Sequence, residues 1–386
     1  MPYGTKKSSF DKVLNAWDVL VIAFGAMIGW GWVVSTGDWI MEGGVLGAML
    51  GFVIGGIMVF FVGLTYAELT SAMPQCGGEH VFSYKAMGPI GSFICTWMIV
   101  LGYVSVVCFE ACALPTILVY LFPDFLMGYL YTIGGFDIYA TWLAAAVIIA
   151  VAITAINIIG AKTAARLQTI LTAIIGGVGI VFVAASVLTG STANLDGQLF
   201  MGATTSEMAK GTLAIAVMTP FYFIGFDVIP QAAEEISVSL QKIGRILILS
   251  IVALFFGRKM LVWVVDAGNF GCCMAYCMVS ISFLLLRKKA PDMVRPYKVR
   301  HYKFVGAMAV LMSGFMVVMY IVPGSGAALA PQEWGMVAGW SLLGVIFGVY
   351  CKAKYGERFA THIDVAMDTE VREAALPSSE LKTVKL

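Results

Sequence analysis

The sequence predicts an all-α, polytopic membrane protein, and three observations lead to that prediction. Hydrophobic residues make up 60% of the 386 residues, charged residues make up 12%, and the mean hydropathy is +0.89. A typical soluble domain contains about 25% charged residues and about 45–50% apolar residues. The apolar residues also occur in runs of about 20, the length that an α-helix needs to cross a bilayer. We therefore expect lipid to be the solvent of this chain.

Nine apolar runs are long enough to span a membrane, and a tenth is shorter. The nine runs cover roughly 17–40, 44–67, 91–120, 139–160, 167–190, 210–231, 260–286, 304–323 and 335–351. The short piece covers about 246–256 and reads ILILSIVALFF. Because the connections are brief, we expect one transmembrane domain over residues 1–358. The polar stretch 359–386 is expected to be a disordered cytoplasmic tail.

The distribution of lysine and arginine predicts the orientation of the spans. With the N-terminus in the cytoplasm, alternating crossings place all but three of the 24 basic residues on the cytoplasmic side, the exceptions being Lys210, Arg258 and Lys259. This arrangement requires residues 246–286 to cross the membrane twice. The prediction is a multi-pass protein of the cell membrane (inner or plasma membrane) with both termini in the cytoplasm. The polar start MPYGTKKSSFDK indicates no removable signal peptide.

Composition and motifs argue against enzymatic, metal-binding and nucleic-acid functions. The net charge of +1 provides no basic field for nucleic acid. The three histidines, His80, His301 and His362, lie far apart, and the sequence contains no HExxH, paired CxxC or phosphate-binding glycine motif. Six cysteines lie inside apolar runs, where they act as small hydrophobic residues: Cys95, Cys108, Cys112, Cys272, Cys273 and Cys277. We expect no catalytic residue, no metal ligand and no cofactor.

Two spans contain helix-breaking residues near their centres. The first reads VIAFGAMIGWGWVVSTGDW and the sixth reads AIAVMTPFYFIGFDVIPQAAEE. The residues in question are Gly25, Gly29 and Gly31 in the first span, and Pro220, Gly225, Asp227 and Pro230 in the sixth. Interruptions free backbone groups, which is costly in hydrocarbon unless those groups line a cavity or meet a ligand. For the glycines alone, close helix packing is an equally good explanation. Proline together with aspartate favours a site in the sixth span.

The first and sixth spans hold corresponding positions in two halves of five helices. Paired interruptions of this kind indicate a transporter built from inverted repeats, with its site near the membrane midplane. The N-terminus of a half-helix suits a carboxylate, because it presents free N–H groups and a partial positive charge. The C-terminus of a half-helix presents bare carbonyl groups, which suit an ammonium group. Two broken helices can therefore bind a zwitterion with few charged side chains.

Several stretches together resemble the amino acid–polyamine–organocation (APC) superfamily of permeases. They are GAMIGWGWVVSTG in the first span, PQCGGEHVFSYKAMGPIGSFICTW at 74–97, FYFIGFDVIPQAAEEIS in the sixth span, and LVWVVDAGNF followed by SFLLLRKKAPDMVRPYKV. The resemblance implies a five-plus-five inverted-repeat architecture with discontinuous helices 1 and 6. It also implies a substrate site between those two helices.

The resemblance assigns roles to individual positions. Backbone amides after the first break would bind the substrate carboxylate, and carbonyl groups of both breaks would bind its amino group. Aromatic side chains of the sixth helix would close over the substrate. The positions are Gly29, Trp30 and Gly31 for the amides, Ala26, Met27, Phe221 and Ile224 for the carbonyl groups, and Phe221 and Phe226 for the aromatic cover.

Four carboxylates are candidates for coupling or gating. Asp227 either accepts a proton during coupling or hydrogen-bonds the backbone freed at the break. Glu110, deep in the third span, is either a proton carrier or a neutral packing residue. Glu234 and Glu235 follow the sixth span and form either a gate or an ion pair within a loop. Outside these four, Asp38, Glu42 and Asp266 lie near the outer ends of their spans; the first two are expected to be solvated, at an extracellular vestibule, and Asp266 to stabilise its helix or pair with Arg258.

The chain departs from the family pattern in two places. The family usually has twelve helices, but here FFGRKMLVWVVDAG joins what resembles the start of the seventh helix to the end of the ninth. The second repeat is therefore shortened by about two helices. Some proton-coupled members carry a lysine on the fifth helix, and this chain has Ile175 at the aligned position.

The predicted function is secondary active transport of amino acids by alternating access, with coupling to protons. The apolar surroundings of the site favour a neutral amino acid. The expected partners are a small-molecule amino acid, a proton or other ion, and the lipid bilayer, with no nucleic acid. The alternative is a non-transporting or sensor-like remnant that keeps the cleft but lacks the transport cycle, because part of the second repeat is missing.

Overall fold

The computed structural model describes residues 25–27, 29, 31–73, 75, 77–133, 136–159, 161–195, 197–231 and 257–355. Several predictions fall outside these residues: the start of the first span, Trp30, Glu234, Glu235, the short piece at 246–256 and the tail at 359–386.

The described part contains nine α-helices, one β-hairpin and two short 3-10 helices, Pro123–Phe125 and Thr192–Leu195. The helices are α1 (Gly31–Ala72), α2 (Glu79–Leu121), α3 (Ala140–Ile159), α4 (Ala161–Thr189), α5 (Thr205–Tyr222), α6 (Val228–Gln231), α7 (Gly257–Lys289), α8 (Tyr302–Ile321) and α9 (Pro331–Tyr355). The antiparallel strands are β1 (Tyr129–Ile133) and β2 (Phe136–Tyr139), a hairpin that the sequence analysis did not predict. Six helices, α1, α2, α4, α7, α8 and α9, are long and apolar enough to cross a membrane. The predicted all-α, polytopic fold class is confirmed.

Glycine residues divide the two longest helices. Gly44 in α1 has φ 74° and ψ 173°, and a Cβ there would lie 2.7 Å from the carbonyl oxygen of Leu199. Gly88 in α2 has φ 79° and stands directly before Pro89. Only glycine adopts positive φ without steric cost. The predicted boundary between the first and second spans therefore coincides with the kink at Gly44, and residues 79–87 form a short helix of their own.

The core of the bundle is centred on α7, which packs against α2 and α8, while α1 packs against α5. Of the most apolar stretch in α7, 67% of the residues are buried, whereas none are buried in the corresponding stretch of α4. Tyr276 and Phe283 of α7 are among the largest fully buried side chains. Helix α4 consequently presents an almost bare apolar surface, which a membrane would cover with lipid.

Two glycines allow α1 and α5 to approach closely. A Cβ on Gly51 would lie 2.7 Å from the Cβ of Ile215, and one on Gly55 would lie 2.5 Å from the Cβ of Thr219. Small residues four positions apart are the usual device by which membrane helices bring their backbones together. The contact places the C-terminal half of α5 beside the second span.

Helix α5 begins with a capping box. The Thr204 hydroxyl accepts a hydrogen bond from the backbone N–H of Glu207 at 3.3 Å, and the Glu207 carboxylate accepts from the N–H groups of Ala203 and Thr204. These backbone hydrogen bonds lower the pKa of Glu207 from its ordinary value. The reciprocal bonds satisfy N–H groups that the first turn of a helix leaves free, so the start of α5 is well defined.

A buried ion-pair cluster joins α1, α7 and the loop after α7. It lies at the end of the bundle where α2 begins at Glu79. Glu68 of α1, 1% exposed, lies 2.6 Å from Arg287 of α7 and 3.2 Å from Arg295 in the following loop. It also accepts the backbone N–H of Val299 at 2.8 Å. Burial and the neighbouring Arg287 guanidinium lower the pKa of Arg295, and Glu68 opposes that shift. The cluster ties the loop after α7 to α1.

Two tryptophans connect α2 to α9. The indole N–H of Trp97 donates to the carbonyl oxygen of Trp340 at 2.9 Å, and the indole N–H of Trp340 donates to the carbonyl oxygen of Trp97 at 3.0 Å. Their rings are stacked with centroids 4.8 Å apart. Both indole donors are satisfied by protein acceptors, as membrane-embedded polar groups require.

Candidate functional site

The first span is interrupted at Gly29. Residues 25–27 are helical, Gly29 lies in a bend, and α1 begins at Gly31. The carbonyl oxygen of Met27 accepts a hydrogen bond from the indole N–H of Trp32 at 2.9 Å. The indole therefore already satisfies one of the carbonyl groups that the sequence analysis assigned to the substrate amino group. The predicted interruption itself is confirmed.

The glycines at this break are also close-packing sites. A Cβ on Gly29 would collide with the carboxylate of Glu110, and one on Gly31 would lie 2.5 Å from Cε1 of Phe109. A Cβ on Gly25 would collide with Gln168 of α4. Two explanations were offered for these glycines: close helix packing, and an interruption that frees backbone groups to line a site. The two are thus compatible.

The second interruption follows α5. The chain forms turns over residues 223–227, Gly225 has φ 147°, and helical structure resumes at Val228 in α6. The Asp227 carboxylate, 0% exposed, accepts a hydrogen bond from the backbone N–H of Gly225 at 2.9 Å. Asp227 therefore binds backbone freed at the break, which confirms the structural role considered for it. Its role as a proton acceptor stays a prediction.

The two interruptions meet at a small cavity of about 20 Å³. Its lining residues are Ala26, Met27, Gly29, Gly31, Trp32, Val106, Phe109, Glu110, Phe221, Tyr222 and Ile224. Six of these positions were assigned to substrate binding, and Glu110 was a coupling candidate. The volume has room for about one water molecule. The space between the broken helices is therefore closed in this structure.

Phe226 lies elsewhere. It is absent from the cavity lining and packs against Tyr66 and Tyr276, with ring centroids 5.2 Å and 5.3 Å away. In this structure Phe221 contributes to the cavity wall, and Phe226 belongs to a separate aromatic contact between α1 and α7. The sequence analysis grouped the two phenylalanines, but the turn at Gly225 sends them to different places.

A larger cavity of about 640 Å³ adjoins the small one. Phe109 and Tyr222 line both cavities and separate them. The volume is within the range of about 300–1,000 Å³ typical of small-molecule sites. The Tyr222 hydroxyl donates to the Ser35 hydroxyl at 2.9 Å, which holds the ring in this position. A small molecule that entered the large cavity would meet these two aromatic rings before it reached the break.

Four carboxyl groups face the large cavity: Asp38, Glu42, Asp266 and Glu333. None of the described residues that line this cavity is basic. The exposed carboxylates of Asp38 and Glu42 would concentrate positively charged groups in this cavity. Asp38 and Glu42 are solvent-exposed, as predicted, and Asp266 contributes to the same wall.

Ile175, where the resemblance implies the lysine of some proton-coupled permeases, lies on the face of α4 that points to the first break. Gln168 and Thr172 of this face approach Gly25, and Ile175 follows three residues after Thr172. Residues three or four apart on a helix share a face. The half-buried Ile175 side chain is apolar, so it provides no titratable group there.

Sequence reasoning missed three aromatic residues of the site: Trp32, Phe109 and Tyr222. Each stands within two residues of a position that was assigned, but apolar aromatic residues are common in membrane spans and carry no distinguishing signal. Only the packing of α2 against the first break shows that Phe109 contributes to the cavity wall.

Discontinuous helices that meet inside an apolar bundle define a class of membrane transporters. The sequence model of the amino acid permease family matches residues 18–257, more than half of the chain, so the chain belongs to this family. The family and the curated relatives that the chain matches are transporters, not enzymes.

Three relatives from Bacillus subtilis (strain 168) show the extent of the similarity. The branched-chain amino acid permease BcaP is 28% identical over 243 residues, which is 59% of this chain and 49% of the relative. The methylthioribose transporter is 24% identical over 239 residues, 60% of this chain and 50% of the relative. The aspartate-proton symporter is 27% identical over 119 residues, 31% of this chain and 23% of the relative. The chain thus spans about half the length, or less, of these relatives.

Proposed function

We propose that this chain is an amino acid transporter that works by alternating access and binds its substrate between the two broken helices. The observation that carries the proposal is the meeting of both interruptions at one cavity next to a larger, acid-lined one. Backbone N–H groups after Gly29 would bind the substrate carboxylate. Carbonyl groups near Phe221 and Ile224 would bind its ammonium group.

The closed cavity suggests how substrate would enter. Phe109 and Tyr222 separate the small cavity from the large one, so admission of an amino acid requires at least these rings to move. On the opposite side, Phe226 packs between two tyrosines. In the proposed cycle the barrier formed by Phe109 and Tyr222 opens towards the large cavity. The barrier formed by Phe226 and its two tyrosines opens towards the other side of the membrane.

The orientation of the chain follows from its basic residues. Arg287, Lys289 and Arg295 lie at the same end of the bundle as Glu68. The positive-inside rule assigns this end to the cytoplasm. The large cavity would then open to the outside of a cell membrane.

The proposed driving ion is the proton. Two carboxylates lie at the interruptions, since Glu110 faces the Gly29 break and Asp227 binds the Gly225 break. By the resemblance, Ile175 would stand where some proton-coupled members carry a lysine, so the proton would be carried by an acid instead. The gate proposed at Glu234 and Glu235 falls outside the described residues.

A non-transporting, sensor-like remnant is the second candidate function, and one observation favours it. The apolar stretch of α4 has no buried residues. A transporter that lacks part of its second repeat would leave a helix of the first repeat without its packing partner. Such a protein would bind substrate but would not complete the cycle.

Uptake into liposomes distinguishes the two candidates. Purified chain is reconstituted, and uptake of a panel of radiolabelled amino acids is measured with and without an inward proton gradient. Asp227→Asn and Glu110→Gln are tested beside a control, Val187→Ala, on the exposed face of α4. Gradient-driven uptake by the wild type and the control supports transport. Binding of an amino acid by folded protein without uptake supports the remnant.

A further inference from the structure

Two fully buried carboxylates, Glu79 and Asp227, lie in one polar cluster next to Phe226. Each is 0% exposed. The Tyr66 hydroxyl donates to Oε1 of Glu79 at 3.0 Å, and the Tyr276 hydroxyl donates to Oδ2 of Asp227 at 3.1 Å. The rings of the two tyrosines are 6.0 Å apart, and Phe226 packs against both. Glu79 was not among the acids that the sequence singled out.

The cluster connects the second half of the broken helix to α2. Asp227 stands directly before α6, and Gln231, the last residue of α6, donates from its side-chain amide to Oε2 of Glu79. Helix α6 therefore contacts Glu79 through Gln231 and bears Asp227 at its other end. Any movement of α6 away from α2 must break the Gln231–Glu79 contact.

The surroundings of the two acids offer no compensating cation among the described residues. The titratable groups around them are Tyr66 of α1, Cys95 and Tyr103 of α2, and Cys272 and Tyr276 of α7. Both ion pairs in the described part of the chain involve Glu68 instead. The nearby His80 is engaged elsewhere, with its Nδ1 2.9 Å from the Ser92 hydroxyl. Two negative charges buried together without a cation are very costly, so the described surroundings favour a pair that holds a proton.

We propose that Glu79 and Asp227 form a proton-binding pair that keeps α6 docked on α2, and that loss of the pair's proton releases α6. The inference rests on proton-coupled transport and adds Glu79 as a second residue of the coupling site. With a proton bound, the pair carries at most one negative charge, and Tyr66, Tyr276 and Gln231 satisfy its oxygens. Without it, two negative charges repel across the α6–α2 contact. Because Asp227 also accepts a hydrogen bond from the Gly225 backbone, loss of the proton would also alter the wall of the substrate cavity.

Infrared difference spectroscopy tests the pair directly in purified full-length protein. The C=O stretching band of a protonated buried carboxylic acid is followed as a function of pH, with assignment by its shift in heavy water. We expect Glu79→Gln to shift the pH at which the remaining band, that of Asp227, titrates. Asp227→Asn should likewise shift the titration of the Glu79 band. Glu79→Asp, which keeps a carboxyl, should retain a titrating pair. The control Asp124→Asn, at an exposed acid outside both cavity linings, should leave the band unchanged.

Transport and binding give the second readout. Glu79→Gln should reduce gradient-driven uptake at least about tenfold but retain exchange of labelled for unlabelled substrate. The substitution removes proton coupling and leaves substrate binding intact. The double variant Glu79→Gln/Asp227→Asn should be no worse than either single variant, as expected for residues that act as one unit. Separate effects that multiply in the double variant would overturn the proposal.

The infrared result separates this inference from the proposed function. If the wild type takes up no amino acid but its carboxyl band titrates as a coupled pair, the transport proposal fails and the proton pair stands. If the wild type transports but the band is unchanged by Glu79→Gln, or if no protonated carboxyl is found, the pair is refuted and the transport proposal stands.

Discussion

The hydroxyl of Tyr276 donates to the carboxylate of Asp227, 3.1 Å away. Tyr276 lies in α7, which is the most buried of the described helices that are long and apolar enough to cross a membrane. The same carboxylate accepts the backbone N–H of Gly225. The irregular stretch after α5 is thereby attached to the rigid centre of the bundle through one side chain. This attachment explains how an interrupted helix persists in an apolar surrounding: its freed N–H has an internal partner, and that partner is itself held in place.

Removal of the Tyr276 hydroxyl tests this attachment. Tyr276→Phe should reduce the free energy of unfolding by about 0.5–2 kcal/mol, because a buried carboxyl oxygen loses its donor. Thermal unfolding in detergent measures the change. Tyr350→Phe, at an exposed position of α9, is the control and should be neutral within about 0.5 kcal/mol. Equal effects of both substitutions would contradict the assigned role of Tyr276.

The Gly29 break should not tolerate a side chain. Gly29→Ala brings a Cβ against the Glu110 carboxylate, so we expect amino acid binding to weaken by about tenfold or more, through a shift of the cavity wall of the kind that costs about 1–3 kcal/mol. Equilibrium binding to purified protein measures it. The matched control is Gly37→Ala in α1, where a Cβ would have nothing within 4 Å. A second-site change, Glu110→Ala, should restore part of the lost affinity; unaltered affinity in Gly29→Ala would refute the placement of the site.

The ion-pair cluster at Glu68 should be costly to break. Glu68→Gln leaves two buried guanidinium groups without their partner, and removal of one member of a buried pair typically costs about 3–5 kcal/mol. Chemical unfolding curves of the variant and of Lys298→Gln, an exposed basic residue of the same loop, provide the comparison. The effect should also persist in high salt, because buried pairs are only weakly screened. A loss that disappears with added salt would indicate a surface interaction.

The acidic wall of the large cavity should attract positively charged ligands. Neutralisation of Asp38 and Glu42 together should raise the apparent KM for a cationic amino acid by about two- to tenfold at low ionic strength and much less at high ionic strength. A zwitterionic substrate should respond less. The control is Asp124→Asn, an exposed acid outside the cavity lining. The same increase at both ionic strengths would point to a direct contact instead of a long-range field.

Much of the fold was predictable because it depends on local properties of the chain. The lengths of the apolar runs predicted helices that cross a membrane, and glycine and proline at span centres predicted the interruptions at Gly29 and at residues 223–227. Both predictions depend on the cost of exposing backbone groups to hydrocarbon. That cost can be judged from residues that are neighbours in the sequence. The β-hairpin between α2 and α3 was missed, since its stretch lies between apolar runs and has no marked alternation.

The membership of the site was only partly predictable. Phe221 and the described positions of the first break (Ala26, Met27, Gly29 and Gly31) line the cavity. The resemblance to the permeases implied these positions, while Phe226 packs elsewhere. Glu79 lies far from Asp227 in sequence, and no spacing rule connects them. The rotation of a helix about its axis in an all-apolar bundle depends on contacts with its neighbours. Lipid solvates every apolar face of a helix equally well and so does not favour one rotation.

The sequence by itself therefore determined the solvent of this protein, its helical class, the two positions where its helices break and, through its motifs, its resemblance to permeases. Only the tertiary structure decided which side chains meet at those breaks: Tyr276 with Asp227, Gln231 with Glu79, and Phe109 with Gly31. The physical reason is the range of the interactions. Backbone hydrogen bonding and apolar transfer act within a segment, whereas partners for buried polar groups are supplied by whichever helix packs beside them.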